Sequence, residues 1–285
     1  MSECSVDSLQ LLPVERWIEL EKLFEADWPR GIAGAIGLKT HKELNDLGLD
    51  YGFKVYCPYG DPSNGMVALN PKSKLNEIII QCPKNDTNRL KEALIMTKII
   101  DWKTVILVPY APSNIGVCIN DLAEHIDIEH EDSLSYEAHI LNKTHLYAVE
   151  SLPDGVTFQQ LTDKDIPLVD VSWPNKYEGS QWLFEMLCKA QFGYGIFKEN
   201  NLASWVFLGE NGALTHLFTL AEHRRNGYAK ILLKLVCNLY LQQCKNIFAY
   251  CLAGNDEASK LYKKLGFEKY HKVKWYWIKP KNTIK

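Results

Sequence analysis

Leu217-Phe218-Thr219-Leu220-Ala221-Glu222-His223-Arg224-Arg225-Asn226-Gly227-Tyr228-Ala229-Lys230 is the stretch that decides the fold of this 285-residue chain. An apolar run stops at a polar turn that carries two arginines and a glycine, and an amphipathic helix follows. That order reads as a strand, an anion-binding loop and a helix start. The first backbone N–H groups of a helix have no intrahelical partner, and the helix dipole is positive there. A phosphate group satisfies both. Gly227 has no Cβ and lets a ligand approach the backbone. Arg224 and Arg225 bring forked, charge-assisted donors. The pattern, Arg-x-x-Gly-x-Ala, is neither of the two common glycine-rich phosphate motifs. Taken alone it reads as a helix start with surface arginines.

The sequence after the loop narrows the choice. Ala229, Leu232, Val236 and Leu239 recur at helical spacing and predict a helix to about residue 243. The run 247–251 predicts a strand. A second helix is then signalled by Asn255 as N-cap, by Asp256 and Glu257 in the first turn, and by Gly266 just beyond the end. Its apolar face is Ala258, Leu261, Tyr262 and Leu265. Two further strands are expected, one opening at Phe267 and one over 271–278. Upstream, 180–191 reads as a helix, and 195–197, 204–208 and 213–220 as a meander entering the loop. Strict alternation there puts Ala213, Thr215, Leu217 and Thr219 on one face, and Leu214, His216 and Phe218 on the other.

Arg224-x-x-Gly227-x-Ala229 followed by Asn255-x-x-Ala258-x-x-Leu261-Tyr262-x-x-x-Gly266-Phe267 resembles the C-terminal half of a GNAT-superfamily acyltransferase. Ser172-Trp173, Ser180, Ser204-Trp205 and Thr219-x-x-Glu222-x-Arg224 look like the glycine N-acyltransferase-like branch. The resemblance implies a mixed α+β fold, with a GNAT fold in the C-terminal half. It implies acetyl-CoA or another acyl-CoA as co-substrate, no metal, and an amine or amino acid as acceptor. The pyrophosphate would lie on Arg224, Arg225, Asn226, Gly227, Tyr228, Ala229 and Lys230. The pantetheine arm would run along the backbone of Leu217, Phe218 and Thr219. Tyr262 matches the tyrosine that donates to the departing thiolate, and is equally a core aromatic by position. Asn255 matches a residue that bonds the arm, and is equally an N-cap. The branch places a glutamate on the strand entering the loop, whereas here no carboxylate occurs before Glu222. His216 is the remaining candidate base, or else a core histidine. The loop 173–179 would cover the acceptor, with Trp173, Tyr177 and Glu178 as candidate contacts. Two other readings stay open: a non-catalytic acyl-CoA-binding module, and a protein N-acetyltransferase.

The length favours two domains. Residues 1–150 alternate strands and helices as the second half does, without its motifs. They read as a degenerate copy with a structural or cleft-forming role, and 156–285 as the catalytic domain. The linker is placed at 150–155, around Pro153-Asp154-Gly155. Within the first half 144–149 reads as a strand, 87–100 as a helix, and the glycine-rich 31–37 has no clear reading. A formal charge of -3 and the absence of a long basic block argue against nucleic acid as partner. No apolar run reaches membrane-span length. There is no basic-then-apolar start of a secretory signal, and Glu3 and Asp7 disfavour a transit peptide, so an intracellular location, cytoplasmic or mitochondrial, is expected. The eight cysteines are scattered without a Cys-x-x-Cys pair, which fits free thiols and argues against zinc.

Overall fold

The computed structural model describes residues 6–131, 134–142, 144–149 and 151–281. The chain divides into two compact units, residues 1–45, 50–136 and 271–285 in one, and 46–49 with 137–270 in the other.

In the first unit β1 (Leu9–Leu11) leads to helices α1 (Trp17–Ala26) and α2 (Ile32–Asp46). The meander β2 (Lys54–Pro58), β3 (Met66–Lys72) and β4 (Leu75–Gln81) follows. Then come α3 (Asn88–Met96), β5 (Ile106–Ala111), α4 (Ser113–His125) and β6 (Ile128–Glu131). The glycine-rich 31–37 falls in α2 from Ile32 onward: its small residues let the helix pack closely, and a Cβ at Gly34 would stand 2.6 Å from the Phe24 ring. The core gathers Ile80, Leu90, Val108, Ile115, Ile119 and Ile278 among others. One buried polar chain crosses this unit. Lys72 pairs with Glu77 at 3.0 Å, Asn70 donates to Glu77 at 2.6 Å, and the Tyr51 hydroxyl donates to Asn70 at 2.7 Å.

The second unit takes residues 137–141 of β7 (Ser135–Leu141), then β8 (Val156–Gln160), α5 (Ile166–Val171) and α6 (Gln181–Lys189). It continues with β9 (Gly193–Lys198), β10 (Asn201–Leu208), β11 (Leu214–Thr219), α7 (Tyr228–Gln242), β12 (Ile247–Leu252) and α8 (Asp256–Lys264). The last strand, β13 (Phe267–Pro280), is one element where two were expected. Its residues from His271 onward group with the first unit, where they pair with β5 and β6.

Both units therefore repeat one order, strand–helix–helix–three strands–helix–strand–helix–strand. The expected division at 150–156 is displaced. The Pro153-Asp154-Gly155 turn closes onto β8, with Val156 N–H donating to Pro153 O, and the units part at Tyr136/Glu137 instead. Residues 144–149 form no strand; Tyr147 is held to the side chain of Asn238 in α7 instead.

Candidate functional site

In the second unit the strand order is β7–β12–β11–β10–β9–β8. β11 pairs antiparallel with β10 along its length, but is parallel to β12 in register only at Leu214↔Ala249. Among the described residues, none after Leu214 on β11 is in register with β12. β11 therefore leaves the β12 ladder beyond Leu214. Unpaired backbone polar groups are costly unless something pairs with them, and an extended amide chain is the natural partner of a strand edge.

β11 also contains a bulge. Trp205 faces Phe218 and Phe207 faces Thr215, so His216 and Leu217 together oppose a single residue of β10. His216 takes φ 54°, a left-handed value that a β-branched residue would resist. The bulge cancels the strict alternation read from the sequence. His216, Leu217 and Phe218 all line one half-open cavity of about 90 Å³, together with Ser172, Trp173 and Trp205. The His216 ring packs edge-on against Trp173 (4.8 Å) and Phe184 (5.0 Å). Ser204, fully buried, donates its hydroxyl to Phe218 O at 2.8 Å. The Thr219 hydroxyl, 2.8 Å away, then donates to Ser204 in turn. These bonds fix the β10 side of the strand and leave its other side available.

Beyond Thr219 the chain makes a 3₁₀ turn, Ala221–His223, and enters the arginine loop. Arg224 Nε donates to Thr219 O (3.1 Å) and Asn226 Nδ2 to His223 O (3.2 Å). Arg225 (φ 66°) and Gly227 (φ 80°) are both left-handed. Such alternation makes the backbone concavities that bind anions. Gly227 is the N-cap of α7, and no side chain caps the helix. The first return bond is Ile231 N–H to Gly227 O at 3.1 Å, so the amides of Tyr228, Ala229 and Lys230 come before any intrahelical acceptor. A Cβ placed on Gly227 meets nothing within 4 Å, so the space in front of the loop is open. Arg224, Arg225, Asn226 and Lys230 are exposed around it, while Tyr228 is buried.

Asn255 caps α8: its side chain accepts from Ala258 N–H at 3.1 Å. Tyr262, on the same helix, is buried beside Phe267 and His139 at ring distances of 5.1 and 5.5 Å. Burial pushes its phenol well above the usual range, so at neutral pH it is a proton donor. His139 was invisible to sequence reasoning because it lies before the expected domain boundary. It is 2% exposed, and both ring nitrogens are without a hydrogen-bond partner. Burial lowers its pKa and keeps it neutral. The buried thiols of Cys57, Cys118, Cys188 and Cys237 are pushed up to about 12 and do not supply a thiolate.

Of the candidate acceptor contacts, Trp173 and Tyr177 are half-buried and pack on one another at 5.9 Å. Glu178 is exposed and does not line the cavity. The loop is braced from below. Asp170 accepts from the buried Ser180 hydroxyl at 2.5 Å and from Lys176 at 3.3 Å. Glu222 is exposed on the 3₁₀ turn.

The corresponding places in the first unit are built differently. β4 and β5 are likewise parallel and in register at one pair, Glu77↔Leu107, but Gln81 Nε2 reaches across to Tyr110 O at 3.3 Å. The loop after β4 is filled from within. Arg30 donates to Pro83 O and to the Asn85 side chain, and Asn114 donates to Cys82 O and Lys84 O. That loop turns carbonyls inward and places Asp86 just before α3. Its polarity is the opposite of an anion site.

Residues 193–278 match the family model described as FR47-like protein. Among solved structures the chain is similar to a Drosophila protein, at TM-score 0.81 and 20% identity over 96% of this chain and 99% of that one. It is similar to a GCN5-related N-acetyltransferase from Sphaerobacter thermophilus, at TM-score 0.60 and 12% identity over 95% of both chains. It is also similar to a tandem GNAT protein from the clavulanic acid biosynthesis pathway, at TM-score 0.57 and 13% identity over 95% of this chain and 98% of that one. No curated protein matches the chain by sequence. At these identities the likenesses speak for the fold, a mixed α/β GNAT fold in two parts along the whole chain. Among the described residues no helix is long and apolar enough to cross a membrane, and no cluster of metal-ligating side chains occurs.

Proposed function

We propose that the second unit is an acyl-CoA-dependent acyltransferase that moves an acyl group from a coenzyme A thioester to the amine of a small molecule. One observation carries the reading: a strand that leaves register with its parallel neighbour after Leu214 runs directly into a left-handed helix start, without a side-chain cap, that carries exposed arginines. A strand edge suits the amides of pantetheine, and the helix start suits a pyrophosphate. The cofactor-facing set is then Leu217, Phe218 and Thr219 through their backbone, and the loop from Arg224 to Lys230. Asn255 serves the site by capping α8, the helix that carries Tyr262.

The reaction is direct transfer. The amine lone pair attacks the thioester carbonyl, the C–S bond breaks and sulfur keeps its electron pair. Tyr262, protonated in its buried setting, supplies the proton that neutralises the thiolate. The amine must lose a proton, and His216 at the cavity wall is the candidate acceptor. Negative charge on the carbonyl oxygen calls for a donor, and the backbone at the His216–Leu217 bulge is the candidate to supply it. The first unit, whose loop faces inward with carbonyls, is read as structural and as holding no coenzyme. The glycine N-acyltransferase-like assignment rests on the sequence resemblance alone, and the missing strand glutamate leaves the acceptor open.

Calorimetric melting with coenzyme A tests the reading. Ligand at about a hundred times its dissociation constant adds roughly 2.7 kcal/mol. The absence of any stabilisation at millimolar coenzyme A would end the proposal.

A further inference from the structure

Helix α8 carries Tyr262 but is weakly anchored by its own residues. It is nine residues long and buries one of them, Tyr262. A helix this short is not stable on its own. The Asn255 cap sets its N-terminal end. Its C-terminal end is set from outside the helix: the Tyr147 hydroxyl donates to the carbonyl of Leu265, the C-cap residue. The last carbonyls of a helix have no intrahelical donor, so this bond supplies what α8 lacks. Tyr147 is half-buried, and burial pushes its phenol up, so the hydroxyl stays a donor at neutral pH.

Tyr147 is at the same time tied to α7. Its backbone N–H donates to Asn238 Oδ1 at 2.7 Å, and Asn238 Nδ2 donates to its carbonyl at 3.0 Å. The side-chain amide offers one acceptor and one donor side by side, and so pairs with Tyr147 as a neighbouring strand would. One turn earlier on α7, Lys234 donates to Ala148 O at 3.0 Å. The segment 144–149 is therefore a strap bonded to both helices.

Resting on the acyl-transfer reading above, we propose that Tyr147 is a positioning residue for the transfer. Through it the strap fixes the end of α8, and Tyr262 one turn away, against α7, whose first turn receives the coenzyme. The Tyr262 phenol must reach the sulfur of a thioester held by its other end at α7. A strap bonded to both helices sets that distance, and transfer rates are sensitive to it.

The test is steady-state transfer by the full chain from acetyl-CoA to hydroxylamine, a small amine that is uncharged at neutral pH. The nitrogen forms a bond to the acetyl carbon and loses a proton, the C–S bond breaks, and sulfur keeps the electron pair and is protonated. Free thiol and hydroxamate should appear in equal amounts. Tyr147→Phe removes one oxygen and keeps the ring. It is expected to lower kcat about tenfold, less than the roughly hundredfold that an ångström of misplacement costs, and to leave the KM for acetyl-CoA as it was. Asn238→Ala, which releases the strap from α7, is expected to do the same. In a Tyr262→Phe chain neither substitution should have a further effect, because residues that act as a unit are not additive. Rates are taken at a temperature where calorimetry shows each variant folded. An unchanged kcat, a raised KM in place of a lowered kcat, or the full loss repeated in the Tyr262→Phe chain overturns the proposal, and the strap then only braces the fold. A parent chain that binds coenzyme A but forms no hydroxamate removes the transfer reading, and this inference with it. A parent chain that does not bind coenzyme A is a different result and removes the coenzyme site itself.

Discussion

Replacing Gly227 separates what the fold needs from what the ligand needs. The residue has φ 80° and ψ 2°, and a Cβ built on it meets no atom within 4 Å. No clash with the protein opposes a side chain, so the cost to the unliganded chain is purely conformational. A left-handed L-residue costs roughly 1–2 kcal/mol, less for asparagine, which bonds locally in that region. Gly227→Ala should therefore lower stability by about 1 kcal/mol, which for a chain of this size is a fall of about 2–4 °C in Tm. Gly227→Asn should cost less than half of that. Coenzyme binding should respond in the opposite order of severity. Asparagine projects a larger side chain into the open space before the amides of Tyr228, Ala229 and Lys230. Losing one charge-assisted hydrogen bond there costs about 1.5–3 kcal/mol, a weakening of about tenfold or more. Scanning calorimetry with and without coenzyme A reads both effects in one experiment. Expected is an Asn variant with near-native Tm alone and a much reduced ligand-induced shift. An Asn variant that keeps the full shift would show that no phosphate sits at this loop. An Ala variant as stable as the parent would show that the left-handed geometry is not what fixes glycine there.

Tyr262→Phe should leave coenzyme affinity unchanged and lower turnover by about a hundredfold, the low end for a positioned proton donor; unchanged single-turnover rates would reduce Tyr262 to a packing role. Lys72→Met removes the cation 3.0 Å from the buried Glu77 and should cost about 3 kcal/mol in urea denaturation, whereas a loss below 1 kcal/mol would mean that the other partners of Glu77 suffice. His139 and His271 both have their pKa lowered by burial, so the unfolded chain binds protons that the folded chain does not. Stability should be level above about pH 6.5, then fall as pH drops, by up to about 1.4 kcal/mol per unit for each histidine. His139→Phe should roughly halve that slope, and an unaltered slope would mean that the ring already has a partner.

Legibility followed the range of the interactions. The arginine loop was readable because local forces make it: a strand stops, left-handed residues turn the chain, and a helix start exposes its amides. Asn255 was read equally as cap and as ligand contact, and its bond to Ala258 N–H establishes the cap, a bond three residues long. The bulge at His216 was not readable. Its driving force is the pairing of Trp205 with Phe218, thirteen residues away, and alternation counts residues without knowing the partner strand. Nor was the closing of the first unit's loop, which depends on Arg30 and Asn114 arriving from distant elements. Motif absence showed that this half differs, and only the structure shows how its donors and acceptors are reversed.

A fragment that isolates the second unit depends on where the chain is cut. A fragment cut at the sequence-apparent linker, 156–285, lacks residues 137–141. Strand β12 lies between β7 and β11 and is buried along most of its length. Its pairing with β11 is in register only at Leu214↔Ala249, and its backbone groups on the other side face β7. Without β7 those groups face no partner, at about 1–3 kcal/mol for each one left buried and unpaired, and the apolar strand offers a free edge to other chains. Tyr262 would also lose the His139 ring that packs on it. The fragment 156–285 should therefore aggregate on expression, and the fragment 137–270 should behave better, because it keeps β7. Amide exchange on the intact chain probes the same dependence without truncation. β12 amides should exchange no faster than those of β7, because neither strand keeps its ladder alone. Fast exchange in β7 beside full protection in β12 would show that β12 draws its stability from the splayed β11 side, and the gap assigned to the coenzyme arm would then be closed.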